Sequence, residues 1–315
     1  MTKNFIVVFV ILVLGQSTFA QKKVEVRPYT ISTTVEKYKK DYPFIKPIKP
    51  LISERINAEE DIVYKETAIS KLKLDIYRPV FSAEEKAPAI LLIHGGGWIS
   101  GSKENQRIMA QNLAENGFLA ITVAYRLSQE AVYPAGVIDL KDAIRWIKSN
   151  AKAYNIDSDK IAVLGTSAGA QLATLVGVTA NSETYNEQDE EISSEVQAIV
   201  NIDGIVSFIH PEASAEGKVA GLWLDGSRDE NPKNWKEASP LEYVDKNTPP
   251  ILFINSSRPR FHAGRDDMIK ILNENNIYSE VHTLKDSPHS FWLLQPWFQP
   301  TLAYIVSFLN KIFKE

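Results

Sequence analysis

The sequence predicts an α/β fold, a mostly parallel twisted sheet with helices on both faces and a short lid insertion. Three observations carry this expectation. Apolar runs alternate with amphipathic segments, one run feeds Gly165-Thr-Ser-Ala-Gly169 and then a helical stretch, and another ends on Gly95-Gly-Gly97.

In chain order, 62–64 and 72–77 read as the first strands, the second with period-two alternation. Residues 89–93 form a continuous apolar run, as expected of a strand covered on both faces. The runs 118–123, 161–164, 196–202 and 251–254 repeat that character, and 278–284 reads as the last strand. Helical segments fall between them at 108–116, 137–153, 168–179, 268–275 and 301–313. In the second of these, Val137, Leu140, Ile144 and Ile147 lie near i, i+3, i+4 spacing. Strands alternating with helices imply a parallel sheet.

Residues 1–20 read as a secretory signal peptide. Lys3 precedes ten apolar residues at 5–14, and small residues at Thr18 and Ala20 suit cleavage after Ala20. Ten apolar residues are too few for a span, which needs roughly 20. The product is therefore expected to be secreted or periplasmic, with no membrane attachment after cleavage. Residues 21–57, rich in Lys and carrying Pro28, Pro43, Pro47 and Pro50, read as an irregular arm. Residues 58–315 read as one catalytic domain with an insertion at about 208–249. A hydrophobic content of 44% allows a full core, and with zero cysteines that core works without disulfides. A net charge of −4 with dispersed Lys and Arg argues against nucleic-acid binding.

The chemistry concentrates at two glycine motifs. In Gly165-Thr-Ser-Ala-Gly169 the glycines leave room for a tight strand-to-helix turn that pushes Ser167 outward as a nucleophile. The helix N-terminus there favours developing negative charge. In His94-Gly-Gly-Gly-Trp98 the backbone can approach a ligand closely. The N–H groups of Gly96, Gly97 and Ala168 are candidate oxyanion donors, a class worth roughly 3–4 kcal/mol each in the transition state. His94 is expected to orient the loop rather than to react. No His, Asp and Glu cluster has metal-ligand spacing, and Asp139 and Asp142 read as surface or helix-packing charges.

From about residue 62 onward the chain resembles the α/β-hydrolase superfamily, in its hormone-sensitive-lipase-like and feruloyl or acetyl esterase-like branch. The resemblance rests on the two glycine motifs, Tyr125-Arg126-Leu127, Tyr133-Pro134-Ala135 and the stretch from Asp139 to Trp146. It implies the α/β-hydrolase fold, a serine hydrolase with no cofactor, and acylated plant cell-wall polysaccharides among the substrates of relatives. Its catalytic histidine falls on His289, in Asp286-Ser-Pro-His-Ser290. His210 and His262 lie in loops, and His282 lies within a strand pattern.

The resemblance places an acid shortly after the seventh strand, but residues 255–262 contain no carboxylate. Asp203, at the end of the sixth strand, is the preferred acid, with Asp266 and Asp267 as alternatives that double as first-turn helix charges. Trp98 and Trp292 are candidate substrate contacts. Trp223, in the insertion, is either a sugar-stacking face or a buried packing residue. Arg258 and Arg260, in a loop that also holds His262 and Arg265, suggest an anionic substrate such as pectin, or else pair with nearby acids.

The expected function is that of a secreted serine carboxylic-ester hydrolase. It would deacetylate, or demethylate or deferuloylate, a plant cell-wall polysaccharide such as pectin or xylan, so its partner is an acylated oligo- or polysaccharide. The alternatives are a serine peptidase of the same fold and a non-catalytic binding protein on an esterase scaffold. The first is disfavoured because such peptidases usually carry a large N-terminal gating domain.

Overall fold

A computed structural model describes residues 26–80, 86–185, 191–213 and 217–314. The expected signal peptide lies outside the described residues. Among the described residues no helix is long and apolar enough to cross a membrane.

Eight strands form one sheet: β1 (Ile56–Glu66), β2 (Lys71–Pro79), β3 (Ala87–Ile93), β4 (Leu119–Val123), β5 (Ile156–Thr166), β6 (Ala198–Ile202), β7 (Ile251–Asn255) and β8 (Ser279–Thr283). Their order is β1-β2-β4-β3-β5-β6-β7-β8. The β1–β2 and β2–β4 pairs are antiparallel and every later pair is parallel. This is the α/β-hydrolase architecture the sequence predicts.

Period-two alternation splits the inner strands between two cores. Leu91, Ile93, Val163, Ile199 and Phe253 face one side, under Val137 and Leu140 of α3 (Ala135–Ser149), Leu172 of α4 (Ala168–Val178) and Met268 of α5 (Arg265–Glu274). Ile90, Leu92, Leu164, Val200 and Ile254 face the other, under Leu113 of α2 (Arg107–Glu115) and Ile305 and Phe308 of α6 (Phe298–Lys314). Both faces are covered, so the strands carry no polar alternation. The helix predicted over 137–153 is shorter than expected, because α3 ends at Ser149 and a separate turn, Ala151–Tyr154, follows.

The N-terminal arm departs from the irregular segment expected. It contains α1 (Ile31–Tyr38), opened by a capping box in which the Thr30 hydroxyl accepts from the Thr33 N–H and the Thr33 side chain accepts from the Thr30 N–H. Thr34 and Tyr38 turn inward. The arm is fastened at two further points. Asn105 Nδ2 donates to the Tyr29 carbonyl at 2.8 Å, and Lys46–Pro47 pairs antiparallel with Leu294–Gln295.

Of the two readings of Asp139, a surface or a helix-packing charge, the second holds. Asp139 is fully buried, and Arg126 donates to both of its oxygens at 2.7 Å while Lys65 lies at 2.8 Å. Two cations on one carboxylate offset its desolvation.

Candidate active site

The functional residues collect at the C-terminal ends of β3, β5, β6 and β7, where the parallel strands deliver them to one edge. At the end of β5, Ser167 adopts φ 55° and ψ −123°, a left-handed φ that only a tightly framed turn holds. Both flanking glycines are required. A Cβ on Gly165 would meet the Gly169 carbonyl oxygen at 1.9 Å, and one on Gly169 would meet the Ile93 carbonyl oxygen at 2.3 Å. The Ser167 N–H donates to Ile202 O at 2.9 Å, which ties the turn to β6.

Ser167 Oγ lies 2.8 Å from His289 Nε2, and His289 Nδ1 lies 2.7 Å from Asp203 Oδ2. The carboxylate accepts from Nδ1–H, so Nε2 is left to accept the Ser167 hydroxyl proton. Asp203 is fully buried and sits at φ 55° just beyond β6. Its second oxygen, Oδ1, accepts from the Ser256 N–H at 2.9 Å. The loop after β7 thus supplies a donor to the acid rather than the acid itself. Asp266 and Asp267 do not reach His289: Asp266 accepts from Arg265 at 2.8 Å, and Asp267 pairs with His210 at 3.2 Å.

Gly96 and Gly97 line one cavity together with Ser167, and Gly97 and Ala168 line a second cavity with it. Gly96 and Gly97 take φ 123° and 64°. Ala168 opens α4, where first-turn N–H groups have no intrahelical acceptor. His94 fastens the glycine loop. Its buried ring donates from Nδ1 to Gly95 O at 2.8 Å and stacks on Tyr125 at 4.5 Å, and burial pushes its pKa down to about 4, so it stays neutral.

His289 is held from two sides that the sequence did not reveal. The Phe261 ring stacks on it with centroids 3.5 Å apart, and the Arg260 guanidinium lies 4.2 Å from the Phe261 centroid. Trp292 meets His289 edge-on at 5.2 Å. The sequence offers Trp292 as a substrate contact, but it is buried against His289 and lines neither cavity at the site. Phe261 carried no signal in sequence beyond being an aromatic in a basic loop.

Burial lowers the His289 pKa from 6.5, Asp203 pulls it up, and the charges of Lys37 and Arg260 lower it further, with a net shift downward. The imidazole must be neutral to accept a proton, so activity should appear as pH rises through this lowered value. The acid limb of kcat/KM on 4-nitrophenyl acetate is expected below 6.5. This is lower than the rise through about 6 to 7 that an unperturbed histidine would give. Removing a facing cation with Arg260→Gln should move the limb upward. A limb that moves down would contradict this electrostatic account.

Two cavities meet at Ser167. One, of about 700 Å³, is lined by His289, Ser290, Ser100 and the segment from Arg27 to Lys37. The other, of about 190 Å³, is lined by Trp98, Ala168, Gln171, Ile205, Val219 and Phe261. Trp98 belongs to the second wall. Its Nε1 donates to Gln171 Oε1 at 2.9 Å, and its ring stacks on Trp223 at 5.2 Å. Trp223 is itself buried, so of the two readings the packing role holds. The insertion contributes Val219, on the short helix Gly217–Trp223, to the smaller cavity. Arg260 lines the smaller cavity, Arg258 stands exposed outside both, and Arg265 is structural, donating to Asn255 Oδ1 at 2.7 Å.

A family model described as BD-FAE matches residues 74–273. The chain belongs to the BD-FAE family. Among curated relatives of this BD-FAE member is the esterase LipC of Mycobacterium tuberculosis, 28% identical over 256 residues, covering 76% of this chain and 62% of LipC. Another is the versiconal hemiacetal acetate esterase of Dothistroma septosporum, 25% identical over 278 residues, covering 79% and 78%. The chain spans between 46% and 62% of the length of the three mycobacterial esterases it matches. In three dimensions it is similar to esterase 2 of Thermogutta terrifontis, solved phosphonylated by sarin. That likeness has a TM-score of 0.70 and 25% identity and covers 83% of this chain and 97% of the other.

Proposed function

We propose that this BD-FAE member is an exported serine carboxylic-ester hydrolase that removes short acyl groups, acetyl first among them, from a plant cell-wall polysaccharide. The observation that carries the chemistry is the hydrogen-bonded chain from Ser167 through His289 to Asp203. His289 takes the Ser167 proton, and Oγ attacks the ester carbonyl. The N–H groups of Gly96, Gly97 and Ala168 hold the oxyanion, and His289 returns the proton to the leaving alkoxide. Water, deprotonated by the same imidazole, then releases the acyl group from Ser167.

The division of labour between the cavities follows from proton transfer. The leaving oxygen must come within hydrogen-bond reach of His289 Nε2. The large cavity includes His289 in its wall, so it takes the alcohol. The small one, among Trp98, Ile205 and Val219, does not have His289 in its wall, so it takes the acyl group. A roomy alcohol side with hydroxyl-bearing walls (Thr33, Thr34, Ser100, Ser290) suits a sugar chain. The small apolar side favours acetyl over a methyl-esterified polymer, whose bulky part would have to enter as the acyl group. Export rests on the leader-like residues 1–20.

The test is a panel of acetylated xylan, acetylated and methylated pectin, and feruloylated arabinoxylan, assayed for acetate, methanol and ferulate. Acetate is expected in excess. Release of methanol or ferulate alone would reassign the cavities. Failure of a fluorophosphonate to label Ser167, with no product released, would favour a binding protein. Cleavage of peptides in place of esters would favour the peptidase.

A further inference from the structure

We propose that the N-terminal segment Arg27–Lys37 forms the leaving-group subsite, and that it takes a sugar bearing a carboxylate, as in a uronate chain. This deepens the ester-hydrolase reading and rests on it for the direction in which substrate lies. The segment precedes residue 74, where the family match begins, so that match assigns it no role. Yet seven of the thirteen residues lining the large cavity lie between Arg27 and Lys37.

The segment is built to stay in place. The Thr30–Thr33 capping box fixes the start of α1, Asn105 holds the Tyr29 carbonyl, and Thr34 and Tyr38 are buried beneath it. A wall fastened at both ends can present side chains at defined positions, which a loose arm cannot.

The charge on this wall is net positive. Arg27 and Lys37 face the cavity, with Glu36 as the single acid among its lining residues. Arg258 and Arg260 lie close enough across the mouth for their charges, together with burial, to depress the Lys37 pKa. Lys37 and Arg260 also act on His289, so both lie near the reacting atoms. The carboxylate that could neutralise this group from below, Asp203, is already engaged by His289 and the Ser256 N–H. Mutually repelling cations around a hydroxyl-lined cavity are relieved by an anion that also offers hydroxyls. A uronate meets both requirements, and a neutral pentose meets only the second.

The test compares acetylated galacturonate oligomers with acetylated xylo-oligomers on wild type and on the double variant Arg27→Gln, Lys37→Gln. Each exposed charge pair changes binding by about 2- to 5-fold, so the ratio of kcat/KM for the charged over the neutral ester should fall about 10-fold. The loss should lie mainly in KM. Added salt should lower the same ratio for wild type, since screening acts on charge pairs. An unchanged ratio, or an equal loss on both esters, would overturn the proposal. The latter would mean that the segment only supports the loop of His289. Independently of catalysis, calorimetry on Ser167→Ala protein should show trigalacturonate binding more tightly than xylotriose, with the difference abolished when the two cations are also replaced. Equal affinity for the two trisaccharides would overturn the subsite. Wild type inactive on every ester, 4-nitrophenyl acetate included, would instead sink the hydrolase reading, and the calorimetry would still decide the subsite.

Discussion

Ser167→Ala is expected to abolish ester hydrolysis, with kcat down by on the order of 10⁴- to 10⁶-fold, while the protein melts nearly as wild type does. Removing one oxygen takes away the only atom that forms the covalent intermediate. The N–H donors and the cavities stay, and they account for whatever rate remains over water. Stability should hardly move. The hydroxyl's one hydrogen bond goes to His289, and the backbone turn is held by the flanking glycines and the Ser167 N–H to Ile202, none of which the substitution touches. The strained φ of 55° is kept too, since alanine has the same Cβ. Hydrolysis of 4-nitrophenyl acetate beside a circular-dichroism melt reads both quantities. Near-wild-type turnover would refute the mechanism as a whole.

Asp203→Asn should cost ~10⁴-fold in kcat, and the geometry says why. Asp203 Oδ1 accepts from the Ser256 N–H, so an asparagine would keep its carbonyl oxygen there. Its NH₂ would then face His289 Nδ1, at the position where the carboxylate oxygen now lies 2.7 Å away. Donating to Nδ1 forces the imidazole proton onto Nε2, and Nε2–H cannot accept from Ser167. The folded structure survives and the base points its proton the wrong way. Asp266→Asn and Asp267→Asn, on pairs that are largely exposed, should change kcat less than 2-fold, as expected of surface charges. Equal losses in all three variants would show that the acid contributes charge at a distance and does not set the tautomer.

Much of this was legible in the sequence because it is local. The strand, turn and helix around Ser167 are contiguous, and glycine at both flanks leaves one backbone solution. The inner strands were legible because burial on both faces writes itself as an unbroken apolar run. The arm was misread because four prolines and many lysines outweighed a weaker signal. Ile31, Thr34, Val35 and Tyr38 follow i, i+3, i+4, i+7 spacing behind Thr30, which marks a helix start. What could not be read is what depends on distant pairing. His289 meets Ser167 across 122 positions and Asp203 across 86, and no local pattern says which of several carboxylates the fold delivers to it. The stacking of Phe261 on His289 is of the same kind. The sequence left Asp139 open between a surface and a helix-packing charge, and only the packing of Arg126 and Lys65 against it decides for burial.

The position of the acid on β6 also bears on how such a protein can diverge. A turn that contains the proton-relay carboxylate is frozen, because almost any change there passes through an inactive ancestor. Here the turn after β7 owes the relay a backbone N–H, from Ser256, a ring, from Phe261, and the nearby charge of Arg260. The residues before Arg260, Ser257 to Pro259, make no side-chain hydrogen bond to Ser167, His289 or Asp203. Selection can therefore rewrite their charge and size one substitution at a time, and the lineage can explore new substrates without ever losing the ability to cut the old one.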